Sequence, residues 1–335
     1  MNNDLSRREF LKASLARASF PAVLGSTFTA TAASMRPTAV DEIPVIDAHI
    51  HLFDPSRPQG IPWPARTQTA LYRPALPPRY RRLVTPLGVR GAIEVECSNW
   101  PEDNQWVLDV AETDPIMVGT IGNLEPGKPE FPERLAQLHR NPLFRGIRYG
   151  NLWGRDLGAA LNGPAFVAHL KLLAEMDLVL DTANPTVRLL ADVVRMTDLV
   201  PRLRVVIDHL PGMPLTVETE AKASLASSLK EIGERPQIYV KLSQVLRSVN
   251  GPASREIDAH RDRLDRIADV FGPDRVIFGS DWPNSDSDAT YEEVLAIVRA
   301  YFQSKSLESA EKYFWRNSVA AYRWIPRDPG QPKSS

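Results

Sequence analysis

From Ile43 onward the chain alternates short apolar runs, rich in Val, Ile and Leu, with longer segments whose apolar residues recur at helical spacing. Eight runs stand out: "IPVIDAHIH" (43–51), "VRGAIEVEC" (89–97), "IMVGTIGNL" (116–124), "FRGIRYG" (144–150), "LVLDT" (178–182), "LRVVIDHL" (203–210), "IYVKLSQ" (238–244) and "RVIFGSD" (275–281). Between them lie helical candidates such as "EDNQWVLDVAET", "GPAFVAHLKLLAEM", "PTVRLLADVVRMTDLV" and "SREIDAHRDRLDRIADVFG". Strand runs alternating with helical segments build a parallel sheet, and this number of them predicts a closed barrel. A doubly wound open sheet would place a glycine-rich phosphate turn after its first strand, and "HIHLFDPS" is nothing of the kind. The expected fold is therefore α/β, a (β/α)8 TIM barrel over residues 36–326. The connection from Leu52 to about Gly88 is long and proline-rich, so it should overhang the C-terminal mouth where substrates bind. The segment 306–324 reads as a closing helix, and 327–335 as a disordered tail.

Composition changes this picture only by exclusion. Forty basic and 41 acidic residues leave a net charge of −1, so no global field draws nucleic acid or anionic lipid. The single cysteine, Cys97, rules out an intrachain disulfide and a cysteine-based zinc cluster. Residues 1–35 read as a separate object. "SRREFLK" precedes a weakly apolar stretch that ends in Ala30-Thr31-Ala32, and the whole resembles a twin-arginine export signal with Arg7 and Arg8 as the pair. That resemblance implies the twin-arginine machinery as a partner of the precursor and a periplasmic location for the folded product. The stretch is too short and too polar for a stable membrane span.

Alternation along the runs places the candidate chemistry. Residues two apart on a strand share a face, so Asp47, His49 and His51 are expected inside the barrel, with Ile46, Ala48 and Ile50 against the helices. Two imidazoles so spaced at a barrel mouth either ligate one divalent ion or donate to one oxygen. His209 closes the sixth run and Asp281 the eighth, where a carboxylate beside histidines binds metal or takes a proton from water. In the second run Glu94, Glu96 and Ser98 are expected on the inner face. Glu96 then needs a cation, a metal or a structural arginine such as Arg145 or Arg148. Cys97 is expected to pack against a helix. Arg148, Tyr149, Arg155 and Lys241 are candidate groups for binding a substrate anion. His139, His169 and His260 fall in helical segments and read as ordinary surface or core residues.

The combination of His49-x-His51, "DHL" with His209 and "GSDWP" with Asp281 resembles the amidohydrolase-related (amidohydrolase 2) family. "VECSNWPEDNQWVLDVA", "VGTIGNLEPG" and "FRGIR" are similar to its lactonase-like branch. The resemblance covers Ile43 to about Arg323. It implies hydrolysis of a small cyclic ester in a TIM barrel, with Asp281 as general base. Metal-dependent members add a fifth-strand histidine to the first-strand pair and the aspartate. The fifth run here offers Asp181, Thr182 and Asn184 instead, and Arg148 stands where a bridging lysine would be needed for a binuclear centre. Two mechanisms follow from the resemblance. In one, a divalent ion such as zinc sits on His49, His51 and Asp281, with Glu96 or His209 adding to the set. In the other, the histidines polarise the carbonyl without metal. The same family also hosts metal-dependent decarboxylases of aromatic or dicarboxylic acids, and a non-catalytic periplasmic binding protein is a further alternative.

Overall fold

The computed structural model describes residues 37–213, 219–248 and 251–333; the candidate export signal lies outside them. Eight parallel strands follow one another in sequence order: β1 (Val45–Ile50), β2 (Val89–Val95), β3 (Met117–Gly122), β4 (Phe144–Arg148), β5 (Val179–Asp181), β6 (Arg204–Ile207), β7 (Ile238–Lys241) and β8 (Val276–Ile277). The ring closes between the last strand and the first. Ala48 N–H donates to Phe278 O at 3.0 Å, Asp281 N–H to His49 O at 2.8 Å and His51 N–H to Trp282 O at 2.8 Å. The (β/α)8 barrel read from the sequence is thus the fold, and every strand lies within its apolar run.

The outer layer holds α1 (Pro77–Val84), α2 (Asp103–Glu112), α3 (Phe131–His139), α4 (Leu157–Ala160), α5 (Pro164–Glu175), α6 (Val187–Leu199), α7 (Thr219–Gly233), α8 (Asp258–Phe271) and α9 (Tyr291–Phe302). Local chemistry fixes their starts. Thr186 Oγ1 accepts from Leu189 N–H to cap α6, Thr290 and Glu293 form a reciprocal capping box on α9, and proline opens α1 and α5. The closing helix runs from α10 (Leu307–Glu311) through a π-helical turn at Lys312–Arg316 into α11 (Asn317–Tyr322). It ends on Arg323, whose φ of +56° lies in the left-handed region that disfavours an L side chain. Arg323→Gly is expected to stabilise the fold by about 0.5–1 kcal/mol in chemical denaturation, with activity unchanged.

Two expectations change here. The tail beyond Pro326 is not free through Lys333. Arg327 donates to the carbonyls of Ala111, Asp114 and Met117, and buried Gln331 donates to Arg90 O and Pro115 O, so backbone acceptors of α2, β2 and the entry to β3 tie the segment down. Asp47 does not face the barrel interior with the histidines. Its Oδ2 accepts from Tyr80 of α1 and Tyr291 of α9, both at 2.9 Å, which places it in the helix layer. The pairing of β1 with β2 slips between Asp47 and Ile50, and that irregularity breaks the alternation. No helix among the described residues is long and apolar enough to cross a membrane.

Candidate active site

At the C-terminal ends of the strands, three imidazoles converge on one carboxylate oxygen. Asp281 Oδ1 lies 3.1 Å from His51 Nε2, 3.6 Å from His49 Nε2 and 3.7 Å from His209 Nε2, and all four side chains are buried. The other oxygen, Oδ2, accepts from Gln244 Nε2 at 2.7 Å and Asn284 Nδ2 at 2.8 Å. Gly279 makes room for this centre, because a methyl group there would sit 2.8 Å from His49 Cβ.

Each imidazole has a different anchor. His51 Nδ1 is 2.7 Å from the Val95 carbonyl, an acceptor only, so Nδ1 carries a hydrogen and Nε2 is left to face Asp281. His209 Nδ1 is 2.7 Å from Ser243 Oγ. His49 Nδ1 faces Lys241 Nζ at 3.1 Å, and its Nε2 has no hydrogen-bond partner among the described residues. Burial, with Lys241 and the other imidazoles adding to it, holds His49 well below the usual histidine range; burial also lowers His209. Burial alone would raise Asp281. Attraction to His209 and the hydrogen bond from His51 outweigh it and keep the carboxylate well below its usual range.

A cleft of about 690 Å³, counted to its open rim, lies over this centre. That volume is ordinary for a small-molecule site. The walls are His51, His209 and Asp281 with Trp63 from the long first connection, Arg148, Trp153, Asn184, Gln244 and Asn284. The first connection does cover the mouth, with the Trp63 ring 5.5 Å from that of His51. Backbone strain collects here. Trp153, Asn184, His209, Gln244 and Asp281 all have φ between +51° and +64°. Only Asp177 and Arg323 share that conformation among the other described non-glycine residues. Such geometry persists where the surrounding fold imposes it.

The other candidates from the sequence divide. Arg148 lines the cleft but is already engaged: its Nε donates to Glu96 Oε1 at 3.1 Å, and its guanidinium is 3.7 Å from Asp208 Oδ2. Glu96 also accepts from Trp153 Nε1 at 3.2 Å, so it serves this pairing and stands outside the His–Asp metal groups. Arg155 turns away from the cleft to stack on Tyr149 at 5.0 Å and to bond Asn123 Oδ1, while Tyr149 packs on Phe166 of α5. Lys241 is fully buried beneath the cleft, 2.7 Å from Asp181 Oδ2 and 2.9 Å from Asp208 Oδ1, so it cannot reach a substrate. Cys97 lines the cleft instead of packing only against a helix, and its Sγ lies 3.6 Å from Leu52 O. Glu94 turns outward to a second cavity against Asn104 and Val107 of α2, and burial raises it well above the usual carboxyl range. His139 is exposed at the end of α3, His169 stacks on Phe131 and His260 bonds Ser254 O, as ordinary residues would.

The centre fits one divalent metal ion. Two ligand atoms about 2.0–2.1 Å from a common tetrahedral ion lie about 3.3 Å apart, and the separations of 3.1–3.7 Å around Asp281 Oδ1 are of that size. His49, His51 and Asp281 offer ligand atoms within 4.8 Å of one another. Among the described residues, buried Glu96, Asp208 and Asp281, with Asp181 beside them, outnumber the buried cations Arg148 and Lys241, which makes the centre receptive to a cation. The fifth strand adds no ligand, because Asp181 is held by Lys241 and by Tyr322 Oη at 3.0 Å. Burial raises Asp181 to about 7, against the attraction of Lys241.

Comparison with known proteins agrees with this geometry. The chain is 31% identical to an L-fucono-1,5-lactonase of Burkholderia ambifaria over 72% of its length and 80% of that protein. It is 26% identical to an L-fucono-1,5-lactonase of Burkholderia multivorans over 84% of its length and 96% of that protein. A crystal structure of an amidohydrolase from Burkholderia multivorans with bound zinc superposes with a TM-score of 0.74 at 25% identity, covering 84% of this chain and all of that one. Residues 46–324 match the amidohydrolase family. With its barrel, its paired first-strand histidines and its eighth-strand aspartate, the chain belongs to the amidohydrolase family.

Proposed function

We propose that the protein hydrolyses the lactone of a neutral, polyhydroxylated acid. The observation that carries the reading is the single carboxylate oxygen of Asp281 ringed by three imidazole Nε2 atoms at the floor of an open cleft. The wall chemistry supports the substrate class. Asn184, Gln244 and Asn284 offer amides to hydroxyl groups, Trp63 and Trp153 offer ring faces to a sugar, and Arg148 is already neutralised by Glu96. A dicarboxylate would find no unengaged cation among the described wall residues. The named relatives, both L-fucono-1,5-lactonases, point the same way, and the Arg7-Arg8 leader supports export of the folded enzyme.

In this reading Asp281 Oδ1 accepts a proton from water as the water oxygen bonds to the lactone carbonyl carbon. His49 and His209 present Nε2 to the carbonyl oxygen as it becomes an oxyanion. When the carbonyl reforms, the ring C–O bond breaks and the proton passes from Asp281 to the departing alkoxide. A divalent ion held by His51 and Asp281, with His209 or His49, would supply Lewis acidity and a lower pKa for water.

The test is a panel of aldonolactones and pyrone dicarboxylates assayed by acid release, with aromatic acids followed for carbon dioxide, before and after chelation. Neutral sugar lactones should turn over at least about 100-fold faster than carboxylated ones, because a carboxylate would be desolvated in the cleft without a free cation among the described wall residues. Carbon dioxide release without lactone turnover would replace the reading with decarboxylation. Cell fractionation follows the export.

A further inference from the structure

The buried lysine beneath the cleft has no part in the chemistry as stated, yet it touches a histidine that does. Lys241 Nζ is 3.1 Å from His49 Nδ1, 2.7 Å from Asp181 Oδ2 and 2.9 Å from Asp208 Oδ1, and these side chains are fully buried. An ammonium between two carboxylates has hydrogens and no lone pair, so every polar atom against it must be an acceptor. His49 Nδ1 therefore presents its lone pair to Lys241, and the ring hydrogen sits on Nε2. That nitrogen is buried, unpartnered among the described residues and 3.6 Å from Asp281 Oδ1.

His51 is held the other way round, since its Nδ1 must donate to Val95 O. The two histidines of one motif are thus anchored in opposite senses, His49 through a lone pair on Nδ1, with its hydrogen turned toward Asp281, and His51 through a hydrogen on Nδ1. We infer that Lys241 is a positioning residue that fixes His49 as an Nε2–H donor for the substrate oxygen and opposes its use as a metal ligand. A metal on His49 Nε2 would need the hydrogen moved to Nδ1. Its acceptor would then be Asp208 Oδ1, 3.5 Å away, and Lys241 would lose a partner. The inference deepens the proposed function by assigning roles within its site, and it rests on that reading only for the purpose of the donor.

The experiment needs no substrate. With ring-15N histidine in the full chain, freed of metal by chelation, two-bond proton–nitrogen spectra should show Nε2–H for His49 and Nδ1–H for His51, assigned through His49→Gln and His51→Gln. In Lys241→Met, and in Lys241→Met/Asp181→Asn, which removes the buried pair together, His49 should switch to Nδ1–H. Zinc affinity by chelator competition should tighten about 10-fold or more, the scale of outer-shell effects on metal sites. An Nδ1–H tautomer for His49 in the wild-type chain overturns the inference, and so does unchanged or weaker zinc binding in a folded variant. The wild-type spectrum decides even if neither variant folds. Loss of the lactonase reading with the tautomers as stated would leave the assignment of Lys241 standing.

Discussion

Asp281→Asn should lower lactone turnover by about 100- to 10,000-fold, the scale expected on removing a general base, while the fold stays intact. The amide can turn its oxygen toward Gln244 and Asn284, the donors that now hold Oδ2, and its NH2 toward His51 Nε2, which can accept once no carboxylate faces it. No buried group is orphaned, yet a donor stands where an acceptor stood. Steady-state kinetics beside circular dichroism check this, and wild-type turnover in the variant would remove Asp281 from the base role. Because the carboxylate is held well below its usual range, it stays ionised across the mildly acidic region. A fall in wild-type activity there would belong to another group.

Arg148→Met should cost about 3–5 kcal/mol of stability, the scale seen when one partner of a buried ion pair is removed. The substitution strands Glu96, 5% exposed, and takes a cation from beside fully buried Asp208. Burial alone would disfavour the guanidinium charge, and the two carboxylates outweigh that. In a chain of this size the thermal midpoint should fall on the order of 10 °C. Adding Glu96→Gln should recover a large part of the loss, since the stranded charge is gone. If Arg148 instead anchored a substrate carboxylate, Arg148→Met would raise KM and leave the midpoint in place. Calorimetry on the two variants separates these outcomes.

The barrel was legible because each strand is a compact apolar run, and the ends of β1, β6 and β8 carry the histidines and aspartate in the open. What the sequence concealed depends on contacts across the barrel. Lys241 and His49 are 192 residues apart, and nothing in "IYVKLSQ" says that the lysine ends between Asp181 and Asp208 and not in the cleft. Period-2 alternation failed where the backbone leaves the extended region. Asp208 should oppose His209, but His209 has a φ of +55°, and both side chains turn to the centre. In β1 the alternation failed instead at the register slip between Asp47 and Ile50, beside which Asp47 turns to the helix layer. Gln244, in the loop after β7, and Asn284, which opens a 3-10 turn after β8, hold Asp281 in place and carry no pattern that marks them. Tyr149 and Arg155 are marked as binding groups by their place at the end of the fourth run and in the loop after it, and their packing with Phe166 and Asn123 has no signature in the sequence.

The left-handed residues around the cleft set a direction for adaptation. Glycine would relieve the backbone at Trp153, Asn184, His209, Gln244 or Asp281, yet each such change would delete a wall or a reacting group. Selection for thermal endurance and selection for turnover therefore pull against each other at these five positions, while Asp177 and Arg323, away from the cleft, are free of the conflict. A lineage adapting to heat should accumulate its gains on the helix layer and at the barrel floor, and keep an uncomfortable mouth.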